Sequence, residues 1–205
     1  MDTVPFVGVP RLPNRDWVIS FATPQLRTLI GDFFIIWGKD DNFSEWASAN
    51  IMDVTANAYW KPTDKFRVTA SYNYQMIGRR SDGSLESNRH IPRLTIEYQV
   101  SRPFFIRLVS QYDAQFVDDL RDDAHAGDPI LIRDPTTGQY SRSLALAQRS
   151  GTFTFNWLVS YRPGPGTVVY AGYGSTLTQP AQFPLRGLRP AGDAFFVKLS
   201  YLYRL

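Results

Sequence analysis

AFFVKLSYLYRL, residues 194–205, alternates strictly along its whole length. Phe195, Val197, Leu199, Tyr201, Tyr203 and Leu205 fall on one side of an extended chain. Phe196, Lys198, Ser200, Leu202 and Arg204 fall on the other. Period two marks a strand whose two faces meet different surroundings. Terminal residues ordinarily fray, so an alternation carried to the last residue implies that a sheet holds it.

The same period recurs upstream, and helical periodicity is nearly absent. It predicts strands at 51–60, 65–77, 93–100, 103–116, 152–162 and 167–177. Residues 28–38 (TLIGDFFIIWG) form a further strand that is apolar on both faces, and 17–23 (WVISFAT) a shorter one. Tight turns are expected at 61–64, 101–102 and 163–166, all rich in the residues that turns favour. Between them lie long polar segments, 78–92, 117–151 and 178–193. Short and long connections in alternation predict an all-β, antiparallel up-and-down sheet of eight or nine strands, trimmed at one end and elaborated at the other.

One face of the seven clearest strands holds 39 positions, and none is charged. With 20% of the chain charged, about eight would be expected. The opposite face carries Asp53, Lys65, Arg67, Arg93, Glu97, Arg107, Asp113, Lys198 and Arg204. Either a soluble core or lipid could enforce this segregation. Sixteen of the 39 are aromatic, too much bulk for the interior of a small barrel. The aromatics also lean towards the strand ends, as in Trp60, Phe66, Tyr98, Tyr72, Tyr74 and Tyr112, with Val54, Ala70, Leu94, Ile96, Leu108 and Val197 between. Phe155, Trp157 and Tyr201 break this bias. Rings favour the headgroup level and aliphatic groups the hydrocarbon, so lipid is the favoured surrounding. Strands of 10–13 residues tilted by ~40° also suit an apolar band ~25 Å tall. The expectation is a transmembrane β-barrel, or the C-terminal part of one, in the outer membrane of a Gram-negative-type bacterium.

Composition narrows the alternatives. The 205 residues include no cysteine, so disulfides and cysteine-ligated metals are excluded. A net charge of +3 without a basic block gives no reason to expect nucleic acid. The longest apolar run, 33–37, is far short of the ~20 residues of a membrane helix. Residues 1–16 read as a proline-rich lead-in, not a signal peptide. Barrels of single bacterial chains are normally even-numbered. Counting back from a periplasmic C-terminus, strand 17–23 would make nine, so either it is no strand and eight close, or upstream strands belong to the barrel. The clean alternation of Trp17, Ile19 and Phe21 favours a single barrel region, 1–205, that is the C-terminal fragment of a longer protein.

Val197, Leu199, Tyr201, Tyr203 and Leu205 resemble the C-terminal signal by which barrel-assembly machinery recognises outer-membrane barrels, with leucine where phenylalanine is common. From residue 151 onward the chain also resembles the C-terminal end of bacterial proteins in domain of unknown function family 5916. The likeness is carried by Ser160-Tyr161-Arg162-Pro163, Pro165-Gly166-Thr167-Val168, Tyr170-Ala171-Gly172-Tyr173 and the Phe195-Phe196-Val197-Lys198 ending. That resemblance implies an outer-membrane barrel preceded by a carbohydrate-binding-family-9-like sandwich, and hence a carbohydrate partner.

No catalytic constellation stands out. His90 is expected at the end of a long loop and His125 inside DDLRDDAHAGD, without a nucleophile or oxyanion-hole motif. The loop carboxylates Asp118, Asp119, Asp122, Asp123 and Asp128 could bind calcium, but they lack its spaced ligand pattern; a solvated loop is the simpler reading. Gly172 and Gly174 alternate in a strand, where they relieve crowding. No cofactor is expected. Candidate binding residues are those of a polar lumen, Arg67, Arg93, Glu97, Arg107, Asp113 and Lys198, which could line a solute path or simply pair with one another. The expected function is a pore, uptake component or surface anchor. The alternatives are an outer-membrane hydrolase with a rim site, or a soluble barrel that binds an apolar ligand.

Overall fold

Period-two alternation becomes one antiparallel meander. The computed structural model describes residues 4–142 and 145–202. The strands are β1 (Arg15–Ala22), β2 (Leu29–Asn42), β3 (Ala47–Trp60), β4 (Phe66–Arg79), β5 (Leu85–Ser101) and β6 (Phe104–Val117), followed by the short pair β7 (Ile132–Arg133) and β8 (Tyr140–Ser141). Then come β9 (Gln148–Gly164), β10 (Thr167–Gln179) and β11 (Arg189–Tyr201). Nine of them form a single sheet in the order β1-β2-β3-β4-β5-β6-β9-β10-β11, every neighbour antiparallel. Among the described residues β1 and β11 are paired on one side only, so the sheet has two edges.

The register keeps the two faces distinct across all nine strands. On the apolar face Ile19, Ile35, Val54 and Tyr74 follow one another across β1 to β4. Ile96, Leu108, Trp157, Tyr173 and Phe195 continue the face from β5 to β11. A one-residue slip anywhere would invert a strand's faces, and the register shifts, such as that between Thr176 and Leu177, lie near strand ends and leave the alternation intact over the strand centres.

Strands run longer than expected, because polar residues at their ends continue the backbone ladder without an apolar signature. β2 and β3 extend to a tip at 43–46. Segment 78–92, expected to be a long loop, is mostly strand: β4 reaches Arg79, β5 begins at Leu85, and His90 lies within β5. Pro92 obscured this. It pairs with Tyr72 on the β4 side, while the β5–β6 ladder skips from His90 to Arg93, as a residue without an N–H requires. Long connections remain at 118–147 and 180–188, and the opposite end has only short ones.

Among the described residues no second layer of strands or helices covers the sheet, and only segment 180–188 folds back over the loop end of its apolar face. The 23.4 kDa chain exposes 14139 Å², against about 9,700 Å² for a globular protein of this mass. Among the described residues only Ala47, Ala49, Tyr112, Ala114 and Ala145 are buried hydrophobics. The tightest packing is instead electrostatic. At the β2–β3 tip, Asn42 Oδ1 accepts from the Ser44 and Glu45 amides, which turns the Glu45 carboxylate back under the sheet end. There Arg79 grips it through Nε (3.0 and 2.9 Å) and Nη2 (2.6 Å). The same guanidinium donates to Asp118 Oδ2 (2.6 Å) and the Asp119 carbonyl (2.7 Å), and the Arg121 amide donates to Glu45 (3.1 Å). Arg79 and Glu45 are both fully buried. The chain leaving β6 is thereby tied across β5 to the ends of β4, β3 and β2.

Breaking one side of a buried, hydrogen-bonded charge pair leaves the other charge stranded, at a cost of about 3–5 kcal/mol. Arg79→Met should therefore lower stability in urea by that order and expose the Asp118 and Arg121 amides to hydrogen exchange. Arg79→Met with Glu45→Met should recover a large part of the loss; no recovery would mean that the pair's packing matters more than its charge.

Candidate functional site

The polar face carries the chemistry. Register places Arg67, Glu97 and Arg107 side by side on β4, β5 and β6. Farther along the same strands come Ser71, Arg93 and Gln111, then Gln75 and Arg89. Five of the six predicted lumen residues are thus gathered on three adjacent strands. Lys198 shares their face but pairs with Tyr170 on β10, three strands or ~14 Å from β6.

These groups do not simply cancel. Arg89 and Asp113 form a bidentate pair, Nε to Oδ1 at 2.8 Å and Nη2 to Oδ2 at 2.5 Å. Arg107 Nε, in contrast, stands 3.8 Å from Glu97 Oε1 and makes no hydrogen bond although that atom is enclosed. Among the described residues Arg93 donates only to the neutral Gln111 Oε1, at 3.2 Å. Below the Arg67 rung a depression of about 80 Å³ is lined by Asp64, Lys65, Arg67, Glu97, Gln99 and Phe105.

Arg89 was missed in the sequence because it fell inside the expected loop 78–92. Its signal was present: Arg89, Arg93 and Glu97 keep one parity through His90 and Pro92. Also missed was the packing of segment 180–188 on the apolar face. Tyr112 Oη donates to the Gln182 carbonyl (2.5 Å) and accepts from Gln179 Nε2 (2.8 Å). Phe183 lies edge-on to His90, 5.6 Å between ring centres, and Tyr72 Oη bonds His90 Nδ1 at 2.8 Å. Nothing in a single sequence joins residues so far apart.

The loop groups have separate occupations. His125 Nδ1 meets Asp122 at 2.9 Å, Asp118 serves Arg79 and Arg121, and Asp119 accepts from the Ala147 amide and Arg142. Asp123 accepts from Ser81. Among the described residues no three metal-ligating side chains converge. Outside the strands, the Ser84 hydroxyl holds the Asp82 carboxyl below its ordinary range, and Arg121 pairs with Asp82 at 3.2 Å. At Gly172 a Cβ would collide with the Phe196 ring, and at Gly174 with the Asn156 side chain, so both glycines admit a neighbour's side chain.

Of the C-terminal alternation, Val197, Leu199 and Tyr201 stand on the apolar face opposite Ala171, Val169 and Thr167, 64%, 68% and 68% exposed. Tyr203 and Leu205 lie outside the described residues. No described helix is long and apolar enough to cross a membrane. No family model, curated protein or solved structure matches this chain.

Arg89 and Asp113 are 43% and 24% exposed, so water screens them. Asp113→Asn should cost no more than about 1 kcal/mol of stability in denaturant titration. A loss several times larger would mean that this face is much drier than its exposure indicates.

Proposed function

We propose that this chain belongs to an outer-membrane β-barrel of a Gram-negative-type bacterium and forms a water-lined passage, a pore or uptake component, for polar solutes. The observation that carries the reading is the apolar face, continuous over the central rungs of nine strands with Arg15, Lys39 and Asp193 confined to its loop end, and covered among the described residues by no second sheet or helix layer. Layers of secondary structure ordinarily bury such a face against each other, and lipid does so where they do not. A soluble barrel would keep large apolar groups from solvent, yet Trp60, Leu94, Tyr98 and Leu199 are 47%, 38%, 43% and 68% exposed.

Strand length supports the same reading. Fourteen residues tilted by ~40° rise about 35 Å, more than the ~25 Å apolar band. The surplus falls where Asp40, Asp41 and Asn42 end β2, outside the band. The meander runs up and down, so β1 and β11, first and ninth in the sheet, point the same way. Lipid tolerates no open edge. Antiparallel closure requires an odd number of further strands, which fits a barrel region that is part of a longer protein. The likeness to family 5916 adds a carbohydrate link through a preceding domain, and the alternation at Val197, Leu199 and Tyr201 suits recognition by barrel-assembly machinery.

Two measurements test this. Leu94 and Thr95 are consecutive residues on opposite faces of β5. In protein reconstituted in lipid, a fluorophore at Leu94 should be quenched only by a lipid-soluble agent, and one at Thr95 only by a water-soluble agent. Protection of Leu94 from both would mark it as core and overturn the membrane reading. On intact cells, a cysteine at Thr136 in the long connection should react with an impermeant thiol reagent, and one at Gly164, the last residue of β9 before the opposite turn, should not. The reverse pattern would invert the orientation.

A further inference from the structure

We infer that the β4–β6 sector of the polar face is an anion-binding track, taking solutes that carry carboxylate, sulfate or phosphate groups. This rests on the water-lined reading of that face and names the class of solute it would select.

The sector holds four exposed or half-exposed arginines, Arg67, Arg89, Arg93 and Arg107, against two carboxylates, Glu97 and Asp113. Asp113 is consumed by its bidentate pair with Arg89. Glu97 stands alone between Arg67 and Arg107 and reaches neither at hydrogen-bond distance. Among the described residues Arg67 donates no hydrogen bond to a side chain, Arg93 meets only an amide oxygen, and Arg107, its side chain 43% exposed, stands 3.8 Å from Glu97 without a hydrogen bond. A guanidinium presents a fork of donors matched to carboxylate and phosphate oxygens. Three such forks therefore remain available along roughly 13 Å of strand, the four-residue rise from Glu97 to Arg93. The fifth arginine of these strands, Arg79, is excluded from the track because Glu45 and Asp118 neutralise it. Towards the short-turn end the depression beneath Arg67 carries both Lys65 and Asp64, so the positive sector ends there.

The chain has no cysteine, so Thr95→Cys gives a single labelling site among these arginines. In lipid-reconstituted protein, a fluorophore there should be quenched by iodide more efficiently than by caesium, each normalised to neutral acrylamide. One kT of positive potential enriches an anion roughly threefold, so a preference of at least that size is expected. R67Q/R93Q/R107Q should abolish it, and R67K/R93K/R107K, which keeps the charge, should retain it and guard against misfolding. Equal or inverted quenching in the parent, or a preference that survives the glutamine triple, would overturn the track. Failure of acrylamide to reach Thr95 would instead overturn the water-lined reading beneath it.

Discussion

A sheet that stands as a single layer needs a compatible medium on each of its faces, and here the two faces call for different ones. The hydrogen-bond ladder satisfies the backbone of nine strands whatever surrounds them, so the backbone does not choose the medium. Side chains do. On one face, exposed Leu94, Trp60, Val197 and Leu199 are each worth about 25 cal/mol for every Å² kept from water. Multiplied across the sheet, that penalty is far larger than the marginal stability of any domain. The fold as drawn is therefore stable only where something apolar covers that face, and the proposed membrane location follows from this constraint and not from any single motif.

Electrostatics is arranged to suit the same division. Where charge is fully enclosed, at Arg79 and Glu45, it is paired, oriented by Asn42 and surrounded by further donors and acceptors. That arrangement is costly to break and ties three connections at the loop end into one unit. Where charge remains wet, as at Arg107 and Glu97, pairing is loose. Two kinds of ionic contact thus do different jobs: the enclosed one fixes the loop end of the sheet, and the open ones leave donors available to a solute.

Alternation made the meander legible, because a strand with different media on its faces writes its period into the sequence. Residues 167–177 and 103–116 matched their strands closely for this reason, as did the turn at 61–64, where Thr63 Oγ1 accepts from the Phe66 amide. The strand ends were not legible. Beyond the apolar band Asp40, Asn50, Ser87 and Asn88 are as much in the ladder as Val54, but both of their faces are polar and period two disappears. The polar set Arg67, Glu97 and Arg107 was readable because its members keep strand parity. The Arg79–Glu45–Asp118 cluster was not, since it joins three chain reversals whose juxtaposition depends on sheet order.

Sheet order also decides whether acids elsewhere on the polar face could silence its arginines. Asp16, Asp32, Asp40 and Asp53 all lie on the β1–β3 side of that face, which bears no lysine or arginine. On the rung Asp32, Asn57, Ser71, Arg93 the acid and the base are three strands apart, ~14 Å across the sheet. Charges in contact with water are screened over ~8 Å at physiological ionic strength. Asp32 moreover accepts a hydrogen bond from Asn57 Nδ2 at 2.8 Å. Arg93 therefore keeps its field locally, although the face as a whole holds acids as well as bases. An acidic side and a basic side on one wetted surface remain electrically distinct whenever their separation exceeds the screening length, and here it does.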